Sequence, residues 1–392
     1  MEKYIKNELK KVLQTICLEY GERLTGSVSN QKLADYTAQY FKDCGYIVEQ
    51  QKFSCIDWQP GAVELSCEGH KFAAEPSYYT LGCDMEAEFT VLKTIDELEQ
   101  ADLNNKVAVL QGNLSSERLM PKSFTFYNPD HHKQIISLLE EKDPAAVIAV
   151  VANNNSIFED GDFDIPSVYI SEDQAKDLLN CNNKVKLKID AERKDSNGEN
   201  IIARINPQKE RKVVITAHLD TKYGTPGALD NASGITVLLM LSQLIKADDI
   251  PYTLELLLLN GEDYYSLPGQ MKYLDEYLNK ENNIILAVNC DGVGLKRSST
   301  AVSTFDLWPE ADGLIGELIK ENNELELIEP WPEGDHMLFV MNNIPAVALT
   351  SKDIFEIIDT VIHTEKDNLE MIDYHKVEEV VYFLEKLLKR LK

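Results

Sequence analysis

The stretch VVITAHLDTKYGTPGALDNASG, residues 213–234, decides how this chain is read. It opens on an apolar run, 213–217, short and uninterrupted enough for a buried strand. His218 and Asp220 follow at its end, and then a loop rich in turn formers, Gly224, Pro226 and Gly227. Asp230, Asn231 and Ser233 lead into an apolar-periodic run over 235–245, and each of those residue types can cap a helix start. A strand end and a helix start are thus joined by a loop presenting one imidazole and two carboxylates, a natural setting for a metal site.

Outward from this stretch the same alternation continues. Apolar runs over 200–205, Thr253–Leu259, 284–289 and 346–349 read as strands, and amphipathic segments over 234–245, 270–278 and 374–391 read as helices. The pattern predicts an α/β fold with a mostly parallel mixed central sheet flanked by helices. A polar, Gly-containing joint over 192–199 precedes it. At the other end, residues 1–43 suggest two helices broken over 21–29, the second spanning 31–44 and stopping at Gly45, and 46–53 alternates like a strand. Two helices and a strand cannot bury a core alone. Residues 1–57 are therefore assigned to the same domain as 194–392. Residues 58–193, with short strand-like runs and one helix over 133–141, form an inserted smaller β-rich domain.

With 392 residues, 44% of them hydrophobic, the chain can bury two such cores, and a formal net charge of -27 argues against nucleic acid or an anionic membrane as partner. The N-terminal segment alternates charged and apolar residues, without the continuous apolar stretch of a secretory signal, and no run approaches the ~18 apolar residues of a membrane span. The seven cysteines, Cys17, Cys44, Cys55, Cys67, Cys83, Cys181 and Cys290, include no CxxC pair and read as reduced thiols of a cytoplasmic protein.

Chemistry gathers at strand ends. The 213–217 run ends at His218 and Asp220, Thr253–Leu259 runs on to Glu262 and Asp263, 284–289 runs on to Asp291, and the chain past 346–349 reaches His363 and Asp367. In open α/β sheets, functional groups collect beyond the carboxyl ends of the strands. One strand-end histidine is more often structural, and Asp230 alone could be only a cap. Five potential ligands, His218, Asp230, Asp263, Asp291 and His363, falling at such ends in a chain with seven histidines outweigh those readings. Imidazole with carboxylate suits zinc. In a hydrolytic two-metal site, ions ~3.5–4 Å apart share a carboxylate and a water, and a carboxylate that is not a ligand takes the water's proton. Glu262 beside Asp263 supplies such a base and a ligand from one strand end. The pair His131-His132 is read as surface residues before a helix, with no partner at ligand spacing.

These segments, AHLDTKYGTPGALDNASG, NGED, NCDG, EGDHMLF, NNIPAVALT and IHTEKDNLEMID in that order, closely resemble the dizinc aminopeptidase family, to which glutamate carboxypeptidase-like and glutaminyl cyclase-like proteins are related. The resemblance covers most of 195–392 and includes GSVSNQKLADYTAQYFKDCGYIVEQQKF near the N-terminus. It implies a zinc aminopeptidase-like fold and two Zn2+ ions per chain. In it Asp230 bridges both ions, His218 and Asp291 complete one site, and Asp263 and His363 complete the other. Glu262 is the general base, Asp220 orients the His218 imidazole, and Asp335 and His336 lie around the site. It also implies a cis Asp230–Asn231 peptide. KVAVLQGN, DPAAVIAV and DIPSVYIS resemble a diverged protease-associated domain.

Two departures mark this chain. Glu262-Asp263 stands where the family usually has Glu-Glu, shortening one ligand arm by a methylene, and YYSLPGQ replaces the usual Gly-Leu-x-Gly-Ser. The resemblance implies an exopeptidase with peptide substrates, an aminopeptidase first. A carboxypeptidase, dipeptidase or glutaminyl cyclase on the same fold is the alternative, and a metal-free receptor-like relative conflicts with the intact ligand set.

Overall fold

The computed structural model describes residues 2–124, 127–152, 155–181, 184–280, 283–358 and 360–392. The chain divides into a unit of Met1–Cys55 with Ser196–Lys392 and a unit of Ile56–Asp195.

The first unit is built on an eight-stranded sheet in the order Ile47–Gln59, Glu192–Ile205, Thr253–Leu259, Lys212–His218, Ile284–Cys290, Ala346–Ser351, Thr300–Phe305 and Leu325–Leu327. The four strands from Thr253–Leu259 to Ala346–Ser351 are mutually parallel. Glu192–Ile205 and Thr300–Phe305 join them antiparallel. The sheet is therefore mixed with a parallel centre, as the alternation of runs predicts.

Parallel strands covered on both faces read as continuous apolar runs, and every residue of Lys212–His218 and Thr253–Leu259 is buried. Their side chains sort alternately. Val213, Ile215, Ala217, Leu254, Leu256 and Leu258 point into one core with the helices Gly234–Leu244 and Tyr374–Arg390. Val214, Leu257 and Leu259 point into another with Tyr273, Leu278 and Phe339. Gly234–Leu244 is buried from Gly234 through Ser242, consistent with its being apolar on all sides. Each buried leucine there contributes about 1.5–3 kcal/mol relative to exposure.

Several boundaries move. The second helix is Val28–Asp43, because Ser27 accepts the Asn30 N–H at 3.2 Å and starts it three residues early. The segment 192–199, read as a polar joint, is the first half of the strand Glu192–Ile205. Its exposed side chains carry no apolar signal, and the sheet pairing forms the strand. Thr300–Phe305, Leu325–Leu327 and the helices Pro309–Lys320 and His336–Val340 are further elements that the apolar runs do not mark.

The second unit also has an eight-stranded sheet, in the order His70–Phe72, Val63–Cys67, Lys184–Ile189, Cys83–Leu92, Val107–Leu110, Ala146–Val151, Ser167–Ser171 and Glu75–Pro76. From Cys83–Leu92 to Ser167–Ser171 the neighbours are parallel. This unit is β-rich as expected, but the expectation of one helix needs correction. Helices Ile95–Gln100 and Glu172–Leu178 accompany Asp130–Lys142. Both are short, and each is started by a side-chain cap, Thr94 accepting from Glu97 and Ser171 from Gln174.

Candidate metal centre

The strand Lys212–His218 ends with His218 buried, and the parallel neighbours bring Glu262, Asp263 and Asp291 to the same edge of the sheet. Asp230 arrives from the other direction, just ahead of the helix Gly234–Leu244. The helix cap proves to be Asn231. Its Oδ1 accepts the Gly234 N–H at 3.0 Å, and its Nδ2 donates to the Cys290 carbonyl at 2.9 Å. Asp230 is left free of capping, and the Asp230–Asn231 peptide is cis, as the resemblance implies.

The Asp230 carboxylate faces two histidines, one with each oxygen. Oδ1 lies 2.9 Å from His218 Nε2, and Oδ2 lies 2.9 Å from His363 Nε2. Asp291 Oδ1 stands 3.5 Å from the same His218 nitrogen, and Asp263 Oδ1 stands 3.0 Å from the same His363 nitrogen. The five residues therefore form two donor groups that share Asp230.

Asp220 takes a larger part than aiming an imidazole. Its Oδ1 is 3.6 Å from His218 Nδ1, longer than a hydrogen bond. The same oxygen accepts the Gly261 N–H at 2.8 Å and the Glu262 N–H at 3.2 Å, while Oδ2 accepts the Asp263 N–H at 3.1 Å and the Thr25 hydroxyl at 2.9 Å. One carboxylate thus binds the whole 261–263 turn to the His218 strand end. Asn260 sits in a buried chain of asparagines: its N–H donates to Asn200 Oδ1 at 2.9 Å, and its amide exchanges two 2.9 Å bonds with Asn30.

Charge is unevenly balanced here. Burial pulls the His363 imidazole down, but Asp263 and Asp230 raise it to about 10. Burial likewise opposes the charge on His218, and Asp291 with the other carboxylates lifts it well above its ordinary value. Burial works against an ionised Asp230, yet its bonds to His218 and His363 hold it below the usual carboxylate range. Glu262 is pushed well up, first by burial and then by Asp263, Asp335 and Asp291, against the opposing pull of His218. Imidazoles so eager for protons mark a pocket short of positive charge.

The donors fit a divalent cation. His218, Asp230 and Asp263 each offer a ligand atom within 4.8 Å of one another. Asp263 Oδ2 is buried without a hydrogen-bond partner, a costly state that an ion would relieve, and His218 Nε2 faces only carboxylate oxygens. Imidazole and carboxylate oxygen are the ligands borderline divalent ions prefer.

Asp335 and His336 are both buried close by. Asp335 Oδ1 accepts from Gln270 at 2.9 Å, and burial, with Asp291 and Asp220 and against His218 and Gln270, raises its carboxyl to about 7. His336 Nε2 stands 2.9 Å from the Trp331 carbonyl. In the other unit, His131 lies on the surface as read from the sequence, but the same reading of His132 needs correction. His132 is 3% exposed, and both rings face Glu117, at 2.9 and 3.4 Å from its Oε1. The Met120 N–H donates to His132 Nδ1 at 3.2 Å, which places the proton of a neutral ring on Nε2. That nitrogen then carries the ring's proton, 3.4 Å from Glu117 Oε1, and offers no lone pair to an ion.

Residues 200–387 match the family described as Peptidase family M28. No curated protein sequence matches the chain. Among solved structures, an aminopeptidase from Aneurinibacillus sp. strain AM-1 superposes with a TM-score of 0.74 at 22% identity, over 97% of this chain and 92% of that one. The zinc aminopeptidase BSAP from Bacillus subtilis gives 0.77 at 20% identity, over 99% and 96%. A glutaminyl cyclase from Tannerella forsythia gives 0.55 at 12% identity, over 99% of both. At these identities the likeness is one of fold. Within the matched residues, sequence reading does not single out Asn200, Asn260 or Gln270 as parts of the centre, nor Arg23, Thr25 and Asn30 upstream of them. Their partners lie many tens of residues away, and no local period betrays them.

Proposed function

We propose that this chain is a metallopeptidase of the M28 type, an aminopeptidase that holds two zinc ions and releases N-terminal residues from peptides. The observation that carries the proposal is the Asp230 carboxylate, each of whose oxygens lies 2.9 Å from a different histidine, the disposition of a bridging ligand. His218, Asp230 and Asp291 would hold one ion, and His363, Asp230 and Asp263 the other. The chemistry such a pair supplies when bound is polarisation of the peptide carbonyl and acidification of a water.

The chain's own residues do the rest. Glu262, whose backbone N–H donates to Asp220, stands outside both donor groups, so its lone pairs are available. Its raised basicity suits a group that takes a proton from the attacking water and passes it to the leaving amine. Asp220 keeps Glu262 and Asp263 in fixed relation to His218. The likeness in fold to aminopeptidases, with TM-scores of 0.74 and 0.77, supports the aminopeptidase reading over the cyclase.

Purified protein should contain two zinc ions per chain and hydrolyse aminoacyl-anilides until a chelator is added. Glu262→Gln should lower kcat by about 100- to 10,000-fold with zinc content unchanged; wild-type turnover in that variant, or a metal-free wild type, sinks the proposal. Peptides blocked at either end settle the polarity. Protection by the N-terminal block is expected, and protection by the C-terminal block alone would make the enzyme a carboxypeptidase.

A further inference from the structure

Arg23 heads the fully buried side chains by size, with no exposed surface. Its guanidinium is spent entirely on backbone carbonyls. Nε donates to Leu219 at 2.8 Å, Nη1 to Pro226 at 2.8 Å and to Gly21 at 3.1 Å, and Nη2 to Gly227 at 3.0 Å. Three of those carbonyls belong to the loop that leaves His218 and returns at Asp230. Neighbouring residues reinforce the grip. The Arg23 N–H donates to Thr221 Oγ1 at 3.0 Å, the Glu22 carboxylate accepts the Gly224 N–H, and Thr25 binds Asp220.

The same loop is held from its amide side by an anion. Asp367 accepts the Leu229 N–H at 2.7 Å and the Asp230 N–H at 3.1 Å, one with each oxygen. Residues 219–230 therefore run between a cation that takes carbonyls and a carboxylate that takes amides. Gly227 lets the chain pass. It adopts a φ of 55°, and a Cβ there would strike the Asp230 carbonyl and Thr221. Burying a guanidinium without a paired carboxylate is costly, and the nearby charges that offset it are Asp220, Asp230 and Asp367. Only arginine's flat fork reaches carbonyls in several directions at once.

We propose that Arg23 is a positioning residue of the metal centre: its guanidinium fixes the 219–227 loop so that His218 and Asp230 present their donors to one point, and its charge offsets the carboxylates around them. This inference rests on the two-zinc reading above.

The test compares wild type with R23K, which keeps the charge but loses the fork, and R23M, which loses both. Each is stripped with a chelator, checked by circular dichroism and melting, and titrated with zinc against a chromophoric chelator before kcat and KM are measured at saturating zinc. Folded R23K should bind zinc about 10- to 100-fold more weakly, the loss typical when a group supporting a ligand is removed, and R23M more weakly still. At saturating zinc, kcat should fall in both with KM near the wild-type value. A merely structural arginine would lower the metal-free melting temperature and leave the zinc affinity of the folded protein alone, and that result overturns the inference. If R23M does not fold, R23K decides. If the wild type itself binds no zinc, the two-zinc reading falls and this inference with it; wild-type binding matched by both variants removes the inference alone.

Discussion

At the scale of single residues, the centre depends on buried charges that are not ligands. Asp220 is the clearest, because four donors converge on it. Asp220→Asn keeps the shape but turns one acceptor into a donor facing a backbone N–H, and a buried donor without a partner costs about 1–3 kcal/mol. Zinc affinity measured by chelator competition should drop about 10- to 100-fold; unchanged affinity would refute the role. The titrating groups predict a pH dependence for the metal-free protein. Asp335 and Asp367 titrate at about 7 in the fold against an ordinary 3.8, and His363 at about 10 against 6.5. A raised folded value means the native state holds a proton that the unfolded chain releases. The associated stability is full below the unfolded value and lost as pH rises through the folded one. Asp220 and Asp230 shift downward, so their influence lies below 3.8. Chelator-treated protein should therefore melt at a lower temperature near about pH 9 than near about pH 6. The reverse order would contradict the assignment of these protons.

At the scale of elements, the join between strand and helix transmits the fold into the site. Gly234 opens the helix Gly234–Leu244 against the strand Ile284–Cys290, and an added Cβ would strike the Cys290 carbonyl and the Asn231 side chain. Gly234→Ala should lower stability by about 1–3 kcal/mol, the usual cost of overpacking. It should also weaken zinc binding, because Asn231 adjoins Asp230 and Cys290 adjoins Asp291; denaturant melts and zinc titration read the two effects separately. Parallel strands and the buried helix were legible in the sequence, since burial on both faces leaves an apolar run. Thr300–Phe305 was not legible. It is a short, Ser- and Thr-bearing segment made a strand by antiparallel pairing with Ala346–Ser351. The same holds for 192–199, where exposed polar residues extend a strand that the sheet pairing defines.

At the scale of the whole molecule, each of the two units has its own core. The metal donors all belong to the unit of Met1–Cys55 and Ser196–Lys392. Separate cores permit separate melting. Calorimetry should resolve two transitions, and a chelator should move only the one belonging to the donor-bearing unit. A single transition shifted as a whole would show that the units unfold together. The described residues contain no helix long and apolar enough to cross a membrane.

The candidate donors themselves, His218, Asp230, Asp263, Asp291 and His363, were legible in the sequence. Parallel strands deliver their carboxyl ends to one edge, so chemically loaded strand exits must meet there. Tertiary structure alone decided what holds those ligands still. Arg23 reaches Gly227 across 204 positions, and Asp367 reaches Asp230 across 137. A hydrogen bond between residues so far apart leaves no period in the chain, because its partners are chosen by where the folded backbone brings unsatisfied carbonyls and amides. The opening stretch, residues 213–234, names the donors; the buried cation and carboxylate on either side of its loop set where they point.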